Sequence, residues 1–281
     1  MIGIIGGTGL YQMDELQVTA VREVTTPFGT PSSPIVLGML QGRNVAFLAR
    51  HGLHHDLLPS EVNYRGNIWA LKSVGVRTIL GVSAVGSLRE EIRPGDLALP
   101  AQYLDFTKGL RAATFFGRGL IGHVSMANPT CRYTTGLVAN AARALELPLH
   151  ENKIHAVIEG PRFGTRAESH FLRNNGADLV GMTSVPEVFL AAEAQLGYCT
   201  IGVTTDYDCW LDDPGHPVSA VEVAKLFRGN LERVQQLLAN VVTEYQDDDS
   251  RECRHTLEGA IMTARERMTG EQKAQLSFLS Q

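Results

Sequence analysis

From residue 2 to residue 206 the chain alternates between short apolar runs that stop at glycines or polar residues and stretches with helical spacing. Strands such as "IGIIGG", "VRTILGVSAVG", "GDLALP", "KIHAVIEG", "DLVGMT" and "CTIGVTTD" are separated by helices such as "SEVNYRGNIWALKSVG", "TGLVANAARALEL", "RAESHFLRNNGA" and "PEVFLAAEAQLG". That alternation predicts a single α/β domain with a mixed, mostly parallel central sheet flanked by helices. "SPIVLGML" and "NVAFLAR" flank "QGR" and read as a hairpin. Ser60 is the expected N-cap of the first helix, and Pro186 falls in the first turn of a later one. A long amphipathic helix is expected over about 221–245, closing a domain at 1–245. The acidic stretch "QDDDSRE" then opens an extension, 246–281, whose segment "TLEGAIMTARERM" has helical character and could dock on this or a neighbouring subunit.

The bulk properties exclude several classes. A net charge of −5 without a basic block argues against nucleic acid as partner. No apolar run reaches membrane-spanning length, and "MIGIIGG" lacks the marks of a secretory signal. The four cysteines, Cys131, Cys199, Cys209 and Cys253, show no metal-ligand spacing and fit a reducing cytoplasm.

Strand ends are where α/β folds hold ligands, and here they carry chemistry. "GGTGL" after the first strand offers backbone N–H groups and the Thr8 hydroxyl to an anion, although it meets neither the dinucleotide spacing nor the P-loop lysine. "LARHGLHHD" places Arg50 and His51 at another strand end, where Arg suits phosphate. His51, His54, His55 and Asp56 also have the look of a metal site, but no second ligand cluster completes it and Arg50 would repel a cation. Ser83 and the backbone of Ala84 could meet the same anion. Phe163, in a Gly/Pro-rich loop, could stack on a flat ring, and Met182 and Thr183 close another strand. "VTTDYDCW" ends the last strand with Asp206 and Asp208, two acids that burial would make costly unless paired or protonated. The set suits a small anionic co-substrate and a flat heterocycle.

The motifs "IIGGTGL", "TPFGTPSSP", "LARHG", "VNYRGNIWALK", "GSLREEIRPGD", "EGPRF", "RAES", "MTSVPEV" and "TTDYDCW", in this order over residues 2–245, resemble the methylthioadenosine phosphorylases of the trimeric purine nucleoside phosphorylase branch. The resemblance implies phosphorolysis of methylthioadenosine to adenine and 5-methylthioribose 1-phosphate, in purine and methionine salvage. It implies no metal and no organic cofactor, with inorganic phosphate as co-substrate. By the same likeness Thr8, Arg50, His51, Ser83, Ala84 and Thr183 hold phosphate, and Phe163 and Met182 line base and ribose. The likeness also implies that Asp206 and Asp208 are the catalytic acids facing the purine, with Asp206 pointing to adenine because 6-oxopurine relatives carry asparagine there. His123 would reach the 5′ end of a neighbouring subunit's substrate in a homotrimer, near Val223.

The chain departs from the family pattern at Gly164, where serine is common, and at Ser83, which replaces threonine. It also has one extra residue within 214–224 and carries Ala220 and Ala224 where larger aliphatics line the methylthio pocket. A phosphorylase for methylthioinosine or another 5′-modified nucleoside is therefore a rival expectation. Rivals of other classes are a dinucleotide-dependent oxidoreductase, a metal-dependent hydrolase and a nucleoside sensor.

Overall fold

The computed structural model describes residues 1–211 and 218–281. Among the described residues nine strands form one mixed sheet: β1 (Ile2–Gly6), β2 (Gln17–Arg22), β3 (Ile35–Leu40), β4 (Arg43–Ala49), β5 (Thr78–Ser87), β6 (Leu97–Phe106), β7 (Leu149–Ile158), β8 (Leu179–Gly181) and β9 (Gly197–Asp206). The helices are α1 (Tyr64–Ser73), α2 (Arg132–Ala144), α3 (Arg166–Asn174), α4 (Ser184–Glu193), α5 (Ala220–Gly229), α6 (Leu231–Glu244) and α7 (Gly270–Leu279). The strand order is β2-β3-β4-β1-β5-β8-β7-β6-β9, and β9 returns to pair with β5. Five strands, β5, β8, β7, β6 and β9, thus close into a ring, while β2, β3, β4 and β1 extend from it as an open sheet. The expected α/β class holds; the ring closure is a long-range pairing that local periodicity does not carry.

Strand alternation sorts the core onto two faces. Ile2 and Ile4 of β1, with Leu80 and Val82 of β5, face α2 and α6. Ile5 and Ile79 face the opposite way, toward α1, α4 and the C-terminal segment. Helix α1 starts later than expected. Ser60 lies in a turn, and Asn63 is the N-cap, its Oδ1 accepting from Gly66 N at 3.0 Å while Nδ2 donates to Phe28 O. The helix expected over 221–245 is two helices meeting at Asn230, whose Nδ2 donates to Leu226 O at 3.0 Å. Gly229 weakens the helix there, and the Asn side chain competes for its backbone groups.

The extension folds back on its own chain. "TLEGAIMTARERM" forms no α-helix: Gly259 takes φ +70, Ile261 pairs with Gly122 as a β-bridge, and only a 3₁₀ turn, Arg265–Arg267, is helical. The helix follows instead at α7, opened by a capping box between Thr269 and Gln272. It packs on α1, where Phe278 stacks on Trp69 with ring centroids 4.0 Å apart and Leu279 is fully buried. Among the described residues no helix is long and apolar enough to cross a membrane.

Candidate active site

Of the expected phosphate residues, Arg50, Ser83, Ala84 and Thr183 lie where β4, β5 and α4 meet. Arg50 follows β4, and its backbone N–H donates to Gly6 O at 2.9 Å, which seats it against the glycine turn after β1. Its guanidinium is 3% exposed. Nη1 donates to Val82 O at 2.8 Å, one residue before Ser83. Ser83 and Thr183 are both buried, with Oγ and Oγ1 3.2 Å apart. Ala84 is half-buried beside them on β5. Thr183 precedes α4; Val185 is non-helical, so the regular helix begins at Pro186. Two buried hydroxyls and the buried Arg50 guanidinium thus lie at neighbouring strand ends, a set of hydrogen-bond donors of the kind an anion requires. Thr8 is placed by its backbone in a short 3₁₀ turn after β1; its side chain lies outside what is described.

Arg50 does not have its fork free. Nε and Nη2 donate to Oε2 and Oε1 of Glu187 on α4, at 2.7 and 2.8 Å. Glu187 is fully buried and also accepts from Tyr198 OH at 2.7 Å. Burial works against the Arg50 charge, but Glu187 outweighs it and holds the guanidinium protonated. His51 lies half-buried next door, its Nδ1 2.8 Å from Leu57 O. A carbonyl only accepts, so Nδ1 carries the proton and Nε2 is left as an acceptor. Burial, then the Arg50 charge and His55, push His51 down to about 4 against the pull of that carbonyl, so it is neutral at pH 7. His51 and His55 rings lie 4.6 Å apart. Among the described residues no three His, Cys, Asp or Glu side chains converge as metal ligands.

The acids at the end of β9 are arranged in sequence, not face to face. Asp206 Oδ2 accepts from Thr205 Oγ1 at 2.6 Å, and Oδ1 accepts from the backbone N–H of Asp208 at 2.8 Å. Asp208 has φ +51, a left-handed value that Asp tolerates. Asp206 therefore closes a turn that aims Asp208. Burial raises the Asp206 pKa; the two hydrogen bonds lower it, and the Asp208 charge raises it again, the net direction being upward from its ordinary value.

The loop of Phe163 faces this turn. A Cβ added at Gly164 would lie 3.9 Å from Asp208 Oδ2, and Cys209 Sγ lies 3.5 Å from Gly164 O. Phe163 is 38% exposed. Met182 is half-buried against Gly160, where a Cβ would come within 2.7 Å of its sulfur.

Val223 lies half-buried on α5, and His123 stands exposed on the loop between β6 and α2, its backbone N–H donating to Ala260 O at 2.9 Å. Neither is drawn into the clusters above. Of the segment 214–224, residues 214–217 lie outside the described residues.

Sequence reading missed the bracing groups. Glu187 reads as an ordinary first-turn acid of a helix, and Arg111 stands in a loop without a motif. Arg111 is buried, pairs with Glu159 at 2.9 Å, and donates to Met182 O and Val185 O at 2.6 and 2.8 Å. It thereby holds the loop that presents Met182 and Thr183. The one available signal was two charged residues flanking apolar runs. A cavity of about 440 Å³ lies elsewhere, between Arg77, Arg254, His255 and the chain end. Its arginines are taken up by Asp247 and Asp249.

Residues 1–246 match the phosphorylase superfamily model. The S-methyl-5′-thioadenosine phosphorylase of Thermofilum pendens is 46% identical over 93% of this chain and 98% of its own. That of Chloroflexus aurantiacus is 44% identical over 93% and 91%. A methylthioadenosine phosphorylase from an antarctic soil metagenomic library superposes with a TM-score of 0.92 at 43% identity, covering 99% of this chain and 98% of that one. An adenosine/methylthioadenosine phosphorylase mutant from Schistosoma mansoni, solved with adenine, gives 0.88 at 36% identity over 94% and 99%. With the family model matching residues 1–246 and relatives matching over nearly its whole length, the chain belongs to the phosphorylase superfamily, among the S-methyl-5′-thioadenosine phosphorylases.

Proposed function

We propose that the chain catalyses phosphorolysis of S-methyl-5′-thioadenosine, giving adenine and 5-methylthioribose 1-phosphate. The observation that carries this reading is the register of β5 and β9. Ser83 lies opposite Gly202, and Asp206 lies opposite Gly86. The anion corner and the acid are thus three residues apart along one strand pair, about 10 Å at 3.3 Å per residue, on the scale of a nucleoside with phosphate at C1′.

Phosphate lies against the remaining N–H groups of Arg50, the hydroxyls of Thr8, Ser83 and Thr183 and the backbone of Ala84, with neutral His51 accepting a proton-bearing phosphate oxygen. One phosphate oxygen attacks C1′ as the bond to N9 breaks. The ribosyl centre becomes cationic, and the anion beside it stabilises that charge. Asp206 is the group that hydrogen-bonds or protonates adenine N7 as the base leaves, and burial shifts its pKa upward, the direction that role needs. Asp208 and Phe163 hold the base, Met182 the ribose, and Val223 the methylthio group. His123 serves the site of a neighbouring subunit in a homotrimer; its exposure on its own chain leaves it free to do so. No metal or organic cofactor enters these steps. The enzyme works in the cytoplasm, in purine and methionine salvage.

Product analysis with methylthioadenosine, methylthioinosine and adenosine, each with and without phosphate, tests the reading. Phosphate-dependent release of adenine from methylthioadenosine is the expected result. Release without phosphate, or preference for methylthioinosine, would overturn it. Ala220 and Ala224 at the start of α5 favour a second outcome of the same experiment, acceptance of longer 5′-alkylthio groups.

A further inference from the structure

The C-terminal segment meets the body of the domain through two thiols. Cys131, the N-cap of α2, and Cys253, in a short 3₁₀ turn of the extension, have their sulfurs 3.3 Å apart across 122 residues of sequence. Both are free thiols. We propose that they are a modification site, oxidised by peroxide to a reversible disulfide that fastens the extension to the start of α2.

Three features single out this pair. Cys131 stands at a helix N-terminus, where the first N–H groups of α2 favour a thiolate. The hydrogen bond from Cys253 is the largest influence lowering the Cys131 pKa, and the N–H groups of Thr134 and Tyr133 add to it against burial. Cys253 is half-buried, which gives a small oxidant a way in, and it is held in place by its neighbour. Arg254 is buried and donates to Asp247 and to Gln195 O at 2.9 and 3.2 Å. Closing a bond of about 2.05 Å needs the sulfurs to approach by only about 1.3 Å. Cys199, by contrast, is fully buried and its thiol is pushed up to about 12 by burial, so it stays a core residue.

The chemistry balances with hydrogen peroxide as the two-electron oxidant. The Cys131 thiolate attacks one peroxide oxygen; the O–O bond breaks, water leaves with an added proton, and Cys131 becomes a sulfenic acid. The Cys253 sulfur then attacks the Cys131 sulfur, the S–O bond breaks, and a second water leaves with the Cys253 proton. Two thiols are oxidised and one peroxide is reduced to two waters. The same extension pairs with 121–123 through Ile261, Ala260 and Met262, so the bond ties down the strip that buttresses the loop of His123.

The test uses the full chain, reduced and then treated with stoichiometric hydrogen peroxide, as wild type, Cys253→Ser and Cys199→Ser. Peptide mapping under non-reducing conditions should find Cys131 joined to Cys253 in the wild type and in Cys199→Ser, and the link should vanish with dithiothreitol. The oxidised wild type should melt several degrees higher than the reduced form and resist proteolysis after Arg265 and Arg267; Cys253→Ser should show neither change. A Cys131–Cys199 link, sulfinic acid at Cys131 with Cys253 still free, or a link formed only in denaturant would overturn the proposal. A link in the folded protein without added protection of the extension would overturn the fastening role.

Discussion

Arg50 gives Nε and Nη2 to the two carboxylate oxygens of Glu187, at 2.7 and 2.8 Å. The fork that suits a phosphate is thus filled by a side chain, and an anion must be met by the hydrogens left on Nη1 and Nη2. Glu187 fixes the plane of that group from a different element, α4, whose start also carries Thr183. Glu187→Gln should raise the KM for phosphate by about tenfold to a hundredfold, with the KM for nucleoside changed little. It should also destabilise the protein by about 3–5 kcal/mol, because a buried cation loses its partner. Steady-state kinetics at varied phosphate, with urea unfolding alongside, separates the two effects. Equal rises in both KM values would assign Glu187 to folding alone.

Asp206→Asn should slow methylthioadenosine turnover by about 10²–10⁴-fold, the scale of a lost general acid. It should also shift preference toward 6-oxopurine nucleosides, because an amide donates where the oxo group needs a donor. Unchanged selectivity would reduce Asp206 to its turn-closing bonds with Thr205 and Asp208.

The protein should lose stability in mild acid. His155 is fully buried, lies against the ring of Tyr103, and has no hydrogen-bond partner for either ring nitrogen among the described residues. Burial pushes it down to about 3. The native state refuses a proton that the unfolded chain takes near 6.5. Stability is therefore complete above that value and falls as pH drops toward 3. His155→Phe should flatten the stability–pH slope between pH 6 and 4 by about 1.4 kcal/mol per unit. Urea midpoints across that range measure it, and an unchanged slope would exclude His155 as a source.

Leu279→Ala should destabilise the protein by about 2–5 kcal/mol, the usual cost of emptying a buried leucine site. Leu279 is fully buried, and Lys72 Nζ donates to its carbonyl at 3.1 Å. Calorimetric melting reads the loss; a wild-type Tm would mean that the extension contributes nothing to the domain's stability.

Mixing Asp206→Asn subunits with His123→Ala subunits tests the shared site. One class of interface then carries both lesions and another escapes both. Verified mixed trimers should exceed either mutant alone in activity, and no recovery would place His123 outside the site.

The sequence carried what is local. Glycine-ended strands, the Arg50–His51 pair, the Ser83 strand end and the Asp206–Asp208 doublet were each legible because residue type and position in a strand suffice to read them. Ser60 misled because it resembles a cap, whereas Asn63 wins by also bonding Phe28 O. The extension misled because helical propensity in "TLEGAIMTARERM" yields to a β-bridge with Gly122, a tertiary contact. Glu187 and Arg111 were invisible for the same reason: their partners lie 137 and 48 residues away. The closure of β9 on β5 belongs to this class too.

That closure acts as a gauge. β5 is bonded to β1, β8 and β9, so neither it nor β9 has a free flank along which to slide. The irregularity in the β5–β9 pairing lies between Val85 and Gly86, opposite Thr204 and Asp206, where a single extra residue re-aims the end of β9. Inserting or deleting a residue there would move Asp206 by a whole strand step, about 3.3 Å, more than any hydrogen bond tolerates. Insertions in the loop of Phe163 or ahead of α5 leave that spacing untouched. Loop length there can thus vary without changing the distance between Ser83 and Asp206 along the strand pair.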